Sequence, residues 1–239
     1  MSGHSKWNNI KRKKEKTDAA KAKIFTKIGK EMAVAIRAGG PNPNTNSKLK
    51  ELIAKAKANN VPNDNIDRAI KKFRDSDVVY EEITYEGYGP GGVAVIVKTA
   101  TDSRNRTAGD VRHYFDKCGG NMGVSGCVSF LFSDAGLIVI EDEDGEIDEE
   151  KLMDQALEAG ASDFRSEEGE FDIYTEPGDL LAVQEALTAA GYTLSSAEPV
   201  MVPSSYVSLD DEAAEKMEKL LDMLDENEDV TDVFHNWES

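Results

Sequence analysis

Between Ser5 and Lys23 the chain reads SKWNNIKRKKEKTDAAKAK. Lys6, Lys11, Arg12, Lys13 and Lys14 gather there around Trp7 and Ile10. Ammonium and guanidinium groups at this density hold phosphate oxygens without reading a base sequence. An indole among them can stack on an exposed base. For Trp7 the competing use is packing against the helices that follow, because large aromatic side chains are usually buried. For the cations it is neutralisation of the protein's own acidic surface.

A second cluster lies in TDSRNRT, residues 101–107. It places Arg104 and Arg106 in the first turn of a helix, where cations are disfavoured because the helix N-terminus is already the positive end. Either an anion such as phosphate is held there by backbone amides and arginines together, or the arginines pair with Glu81, Glu82 or another carboxylate. The glycine-rich stretches YGPGGVA and GGNMGVSG match neither a phosphate loop nor a dinucleotide fingerprint; hairpin and helix-stop roles explain them. EDEDGEIDEE fails as a calcium loop: with Gly145 in the sixth position, Ile140 and Lys151 would fall at the first and twelfth. The three histidines and two cysteines, Cys118 and Cys127, have no metal-ligand spacing, and neither cysteine has an obvious local base. No catalytic set emerges, so the sequence predicts a binding protein, not an enzyme, without cofactor or metal.

These clusters sit in an acidic chain of 239 residues and formal net charge -18. From Met1 to Arg74 there are 19 Lys and Arg against 6 Asp and Glu, a net +13; the remainder has 9 against 40, a net -31. The basic part favours a polyanion and the acidic part repels one. No apolar run approaches a membrane span. No apolar segment of signal-peptide type follows the basic start, and two cysteines are too few for a secreted disulfide framework, so a cytoplasmic protein with free thiols is expected.

The elements that carry the clusters follow from periodicity. A helix capped by Thr17 or Asp18 reaches Ala38, with Ile24, Phe25, Ile28, Met32, Ala35 and Ile36 on one arc. Lys23, Lys27, Lys30 and Arg37 fall on the other, placed to meet phosphates. Leu49, Leu52, Ile53 and Ala56 mark a second helix, and Ile66, Ala69, Ile70 and Phe73 a third. Strand patterns follow in VVYEEITYEGYG and VAVIVKTA, then a helix through Ala108, Val111 and Phe115, then a strand at VSGCVSFLF. From Asp134 the order is β-α-β-β-α-β, the ferredoxin-like succession. An α-β tail, with Met217, Leu220, Leu221 and Leu224 on the helix, completes the earlier unit.

The expected architecture is therefore α+β: a basic helical domain over residues 1–74 and two ferredoxin-like α/β domains. One of these is discontinuous, over 75–133 plus 204–239, and the other is acidic and inserted, over 134–203. No heptad or other dimerisation signature is visible, so a monomer is expected.

Several long motifs, GHSKWNNIKRKK, AKIFTKIGKE, NVPNDNIDRAIKK, YEGYGPGGVAVIV and TDSRNRTAGDVRH…GGNMGVSGCVSFLF, occur in an order that resembles the YebC family, whose organelle relative is the mitochondrial translational activator of cytochrome c oxidase. Departures from the family pattern are Ser103, Cys118 and Met122. The resemblance implies three domains, no catalysis, and a nucleic-acid-binding regulator of gene expression. The family is described as DNA-binding and transcriptional; a second description places it on the ribosome, relieving stalling at difficult sequences such as proline runs. The nucleic-acid contacts expected are Lys6, Trp7, Lys11, Arg12, Lys13, Lys14, Lys23, Lys27, Lys30, Arg104 and Arg106, to DNA or ribosomal RNA. On charge alone, an arm of cations on an acidic body suits a cavity of RNA and basic protein better than a long uniform duplex.

Overall fold

The computed structural model describes residues 18–142, 144–167 and 169–238. Among them the chain divides into two compact units, one of residues 18–131 with 203–238 and one of residues 132–202. The basic helices share a compact unit with the discontinuous sheet.

The first helix, α1 (Asp18–Gly39), is followed by α2 (Ser47–Ala58) and α3 (Asn63–Arg74). Ile28, Met32, Ala35 and Ile36 recur on one face of α1 and are buried against Leu49, Leu52, Ala56 and Ile66. Asn46 caps α2, accepting from the Leu49 amide at 3.1 Å, while its side-chain amide donates to the carbonyls of Ala35 and Gly40. One residue therefore ends α1 and starts α2.

Next come β1 (Glu81–Tyr88), β2 (Ala94–Thr101), α4 (Arg104–Lys117) and the short β3 (Asn121–Met122). After the inserted unit the chain returns with β8 (Val207–Ser208), α7 (Asp211–Glu226), β9 (Val230–His235) and β10 (Trp237–Glu238). The sheet order is β3-β1-β2-β9, antiparallel throughout, and β8 pairs with β10 in parallel. Val93, Val95 and Val97 pack with Val111 and Phe115 of α4 and with Met217, Leu220, Leu221 and Leu224 of α7. Ala94 and Ile96, of opposite parity, are equally buried, and α1 lies against β2, β9 and β1. Burial on both faces explains why β2 is nearly continuously apolar.

The inserted unit runs β4 (Phe132–Glu141), α5 (Glu149–Ala159), β5 (Ala161–Glu167), β6 (Glu170–Thr175), α6 (Leu180–Ala189) and β7 (Ser196–Pro203). Its order, β5-β6-β4-β7, puts the first and third strands in the centre, which is the ferredoxin-like arrangement. Ile138, Ile140, Phe171 and Ile173 face Leu152, Ala156, Val183 and Leu187. The discontinuous unit also builds a four-stranded, two-helix layer, but from the succession β-β-α-β and then α-β.

One strand falls elsewhere than expected. VSGCVSFLF is not a ladder strand: residues 123–128 form a loop, Ser129–Leu131 a 3-10 turn, and the extended chain starts only at Phe132. The cause is a buried carboxylate, described below.

Candidate nucleic-acid interface

The lead segment with Lys6, Trp7, Lys11, Arg12, Lys13 and Lys14 lies outside the described residues. Lys23, Lys27 and Lys30 lie on α1, and the structure turns them inward. Lys27 is 7% exposed; its Nζ donates to the Asp225 carbonyl at 2.8 Å and to Asp225 Oδ1 at 3.0 Å. Lys23 Nζ is 3.7 Å from the same carboxylate. Lys30 Nζ donates to Asp229 Oδ1 at 2.7 Å and to the Glu228 carbonyl at 2.9 Å. The face of α1 read as open to phosphate is thus covered by the end of α7 and the turn into β9. An ammonium group withdrawn from water needs such a partner. Here these three lysines neutralise the protein's own acidic residues.

Arg104 and Arg106 open α4 as predicted, and both meet carboxylates. Arg104, on the surface, donates to Glu81 Oε2 at 2.8 Å. Arg106 donates to Asp229 Oδ2 at 2.7 Å and Asp102 Oδ1 at 2.8 Å. Asp229 is 4% exposed and also accepts from the hydroxyls of Thr107 at 2.8 Å and Thr101 at 3.2 Å. Burial pushes the Asp229 carboxyl up, but hydrogen bonds from Lys30, Arg106 and Thr107 outweigh it and hold it at about 2. The anion beside the start of α4 is therefore an internal one. Asp229 ties α1, α4 and β9 together through partners 122 to 199 residues away.

A third carboxylate shapes the glycine-rich loop. Glu86, 5% exposed, accepts the amides of Gly126, Val128 and Ser129 at 2.8, 2.9 and 2.8 Å. Burial opposes its charge, yet those amides hold it below the usual carboxylate range. Amides captured by Glu86 cannot join a ladder, which is why VSGCVSFLF loops. Gly126 sits at φ 88°, a left-handed conformation that favours glycine. At Gly87 a Cβ would lie 2.5 Å from the Asn121 carbonyl oxygen, so only glycine lets β3 close on β1. The loop leaves Val124 and Phe130 exposed at 77% and 72%. Both cysteines are free. Burial pushes both thiols up, helped at Cys127 by the Glu86 carboxylate, so neither is primed as a nucleophile.

Sequence reasoning passed over the cations of α2 and α3. Residues 18–74 carry 13 Lys and Arg against 5 Asp and Glu, a net +8. Lys23, Lys27, Lys30 and Lys55 are paired with carboxylates, while Lys48, Lys50, Lys57, Lys71 and Lys72 are exposed. The last turn of α3 holds Lys71, Lys72 and Arg74, favourable for a helix C-terminus; Arg74 donates to both carboxylate oxygens of Asp75 at 2.7 and 2.8 Å, and Lys71 and Lys72 stay exposed to an external phosphate. Their signal was the KKFR run. Among the described residues no group of His, Cys, Asp and Glu could hold a metal ion, and no helix is long and apolar enough to cross a membrane.

Two family models match the chain in sequence order. One, described as the TACO1/YebC protein N-terminal domain, covers residues 5–76; the other, the TACO1/YebC second and third domain, covers 80–237. A probable transcriptional regulatory protein of Clostridium novyi is 59% identical over all of this chain and 97% of its own. A protein of the same description from Caldicellulosiruptor bescii is 56% identical, over 100% and 98%. The crystal structure of a conserved hypothetical protein from Aquifex aeolicus superposes with a TM-score of 0.82 at 45% identity, covering 92% of this chain and 91% of that one.

Proposed function

Because the chain belongs to the TACO1/YebC family, we propose that it is a non-enzymatic, nucleic-acid-binding regulator of gene expression. The observation that carries this is the division of charge: +13 before Asp75 and -31 from Asp75 onward. With the lysines of α1 engaged internally, the phosphate contacts fall to Lys6, Lys11, Arg12, Lys13 and Lys14, supplemented by the exposed cations of α2 and α3. Such contacts position a protein on a nucleic acid without selecting sequence.

The names of the relatives, probable transcriptional regulatory proteins, favour duplex DNA as the target. One observation favours a second reading, a translation factor on ribosomal RNA. A duplex reader of the common kind lays a helix in the major groove. The longest basic helix, α1, is packed between the other helices and the sheet, with Lys27 7% exposed. Among its described side chains it offers no continuous free face for a groove. Crosslinking and sequencing of all nucleic acid bound in cells, beside ribosome profiling of a deletion strain, separates the two. Enrichment at promoter duplexes supports the transcriptional reading. Ribosomal RNA crosslinks with sequence-specific pausing support the translational one. Recovery of no nucleic acid above background would contradict both.

A further inference from the structure

We infer that Phe130 is a stacking platform for an unpaired nucleobase. The inference rests on the reading of the chain as a nucleic-acid binder and adds a second, uncharged contact to it.

Phe130 is 72% exposed, which is unusual for a large aromatic ring, yet its backbone is held on both sides. On one side the Ser129 amide donates to Glu86 Oε2 at 2.8 Å. On the other the Leu131 carbonyl accepts from the Ser204 amide at 2.8 Å and the Ser204 hydroxyl at 3.1 Å, and the Leu131 amide donates to Val128. The Tyr88 hydroxyl donates to the Cys127 carbonyl at 3.1 Å, and the Gly123 amide to the Glu86 carbonyl at 2.8 Å. A buried carboxylate thus fixes a loop whose aromatic tip is left in solvent. Fixing a loop before its partner arrives removes part of the entropy lost on binding.

Two further observations select the occupant. From Cys118 to Ser133 no residue is charged, in a chain that is 31% charged. In a body of net -31, this is a surface that a phosphate backbone can approach without local repulsion. The apolar area is also small. Val124 and Phe130 are the only large apolar side chains exposed in the loop among the described residues, whereas a stable protein interface needs about 1,000 Å² or more. One ring face is what a base requires, and stacking accepts any base.

The test uses the full chain with a mixed-sequence 12-nucleotide single strand, as RNA and as DNA, and the matching duplexes. Phe130→Ala should weaken single-strand binding roughly 5- to 150-fold, and Phe130→Leu nearly as much. Duplex affinity should change less than twofold and the salt slope should not change, because stacking releases no counterions. Phe130→Trp should bind, and its added fluorescence should be quenched by the single strand. A stronger effect on the RNA strand or on the DNA strand identifies the source of the base. Wild-type single-strand affinity in Phe130→Ala, with nucleic-acid binding otherwise intact, would overturn the stacking site and leave the wider reading standing. If the wild-type chain binds neither strand nor duplex, both readings fall.

Discussion

Two buried carboxylates, Glu86 and Asp229, hold the larger unit together, and a third, Glu31, sets a pH dependence opposite to that of Asp229. Glu31 of α1 is 8% exposed and faces Lys55 of α2 at 3.6 Å; Lys55 also meets Asp232 of β9 at 3.4 Å. Burial pushes the Glu31 carboxyl up, Lys55 pulls it back, and Asp232 adds to the rise, leaving it at about 7. Folding therefore favours the protonated form. The stability Glu31 contributes is fully present below its ordinary value of 4.5 and is lost as pH rises to about 7. Asp229 behaves in the opposite sense: its contribution is present above its ordinary value of 3.8 and is lost as pH falls toward about 2. Glu31→Gln should consequently raise Tm at pH 8, by an amount equivalent to about 1–3 kcal/mol, and change it little at pH 4.5. Thermal unfolding across pH checks this, and equal shifts at both pH values would contradict it. None of the three carboxylates was legible in the sequence as a buried group. Their partners lie 24 to 199 residues away along the chain, and a lone Glu in a helix or strand looks like any solvated acid.

At the level of elements, periodicity specified α1, α2, α3 and α7 well, because each has a stripe of apolar side chains at helical spacing that the structure buries. It could not say what covers the opposite side of α1. That side is polar, which locally reads as solvent-facing, yet the acidic end of α7 and the turn after it take it up through Asp225 and Asp229. Likewise the β-branched and aromatic residues of VSGCVSFLF favour a strand, and Glu86 overrides that preference. A direct consequence concerns α1. Lys27→Gln with Lys30→Gln leaves Asp225 and Asp229 without two of their donors, and should lower stability by about 1–3 kcal/mol. Nucleic-acid affinity and its salt slope should stay within twofold of wild type. Unchanged Tm with clearly weakened binding would return these lysines to the interface.

For the whole molecule, the inserted position of the acidic unit was readable because its βαββαβ succession is complete in itself, with turn residues at either end. The helical layer's membership of the same compact unit as the discontinuous sheet was not, since it depends on ion pairs such as Lys30 to Asp229. The resulting molecule carries an acidic body behind a basic start, and the central claim is that the external phosphate contacts belong mainly to the segment before α1. The most direct measurement is affinity as a function of salt for the full chain and for a chain lacking Met1 to Lys16. If Lys6, Lys11, Arg12, Lys13 and Lys14 each neutralise a phosphate, the log–log slope of the full chain should be roughly -3.5 on single strands and -4.5 on duplex DNA. The deletion should flatten that slope and weaken binding. The same affinity and the same slope after the deletion would contradict the account.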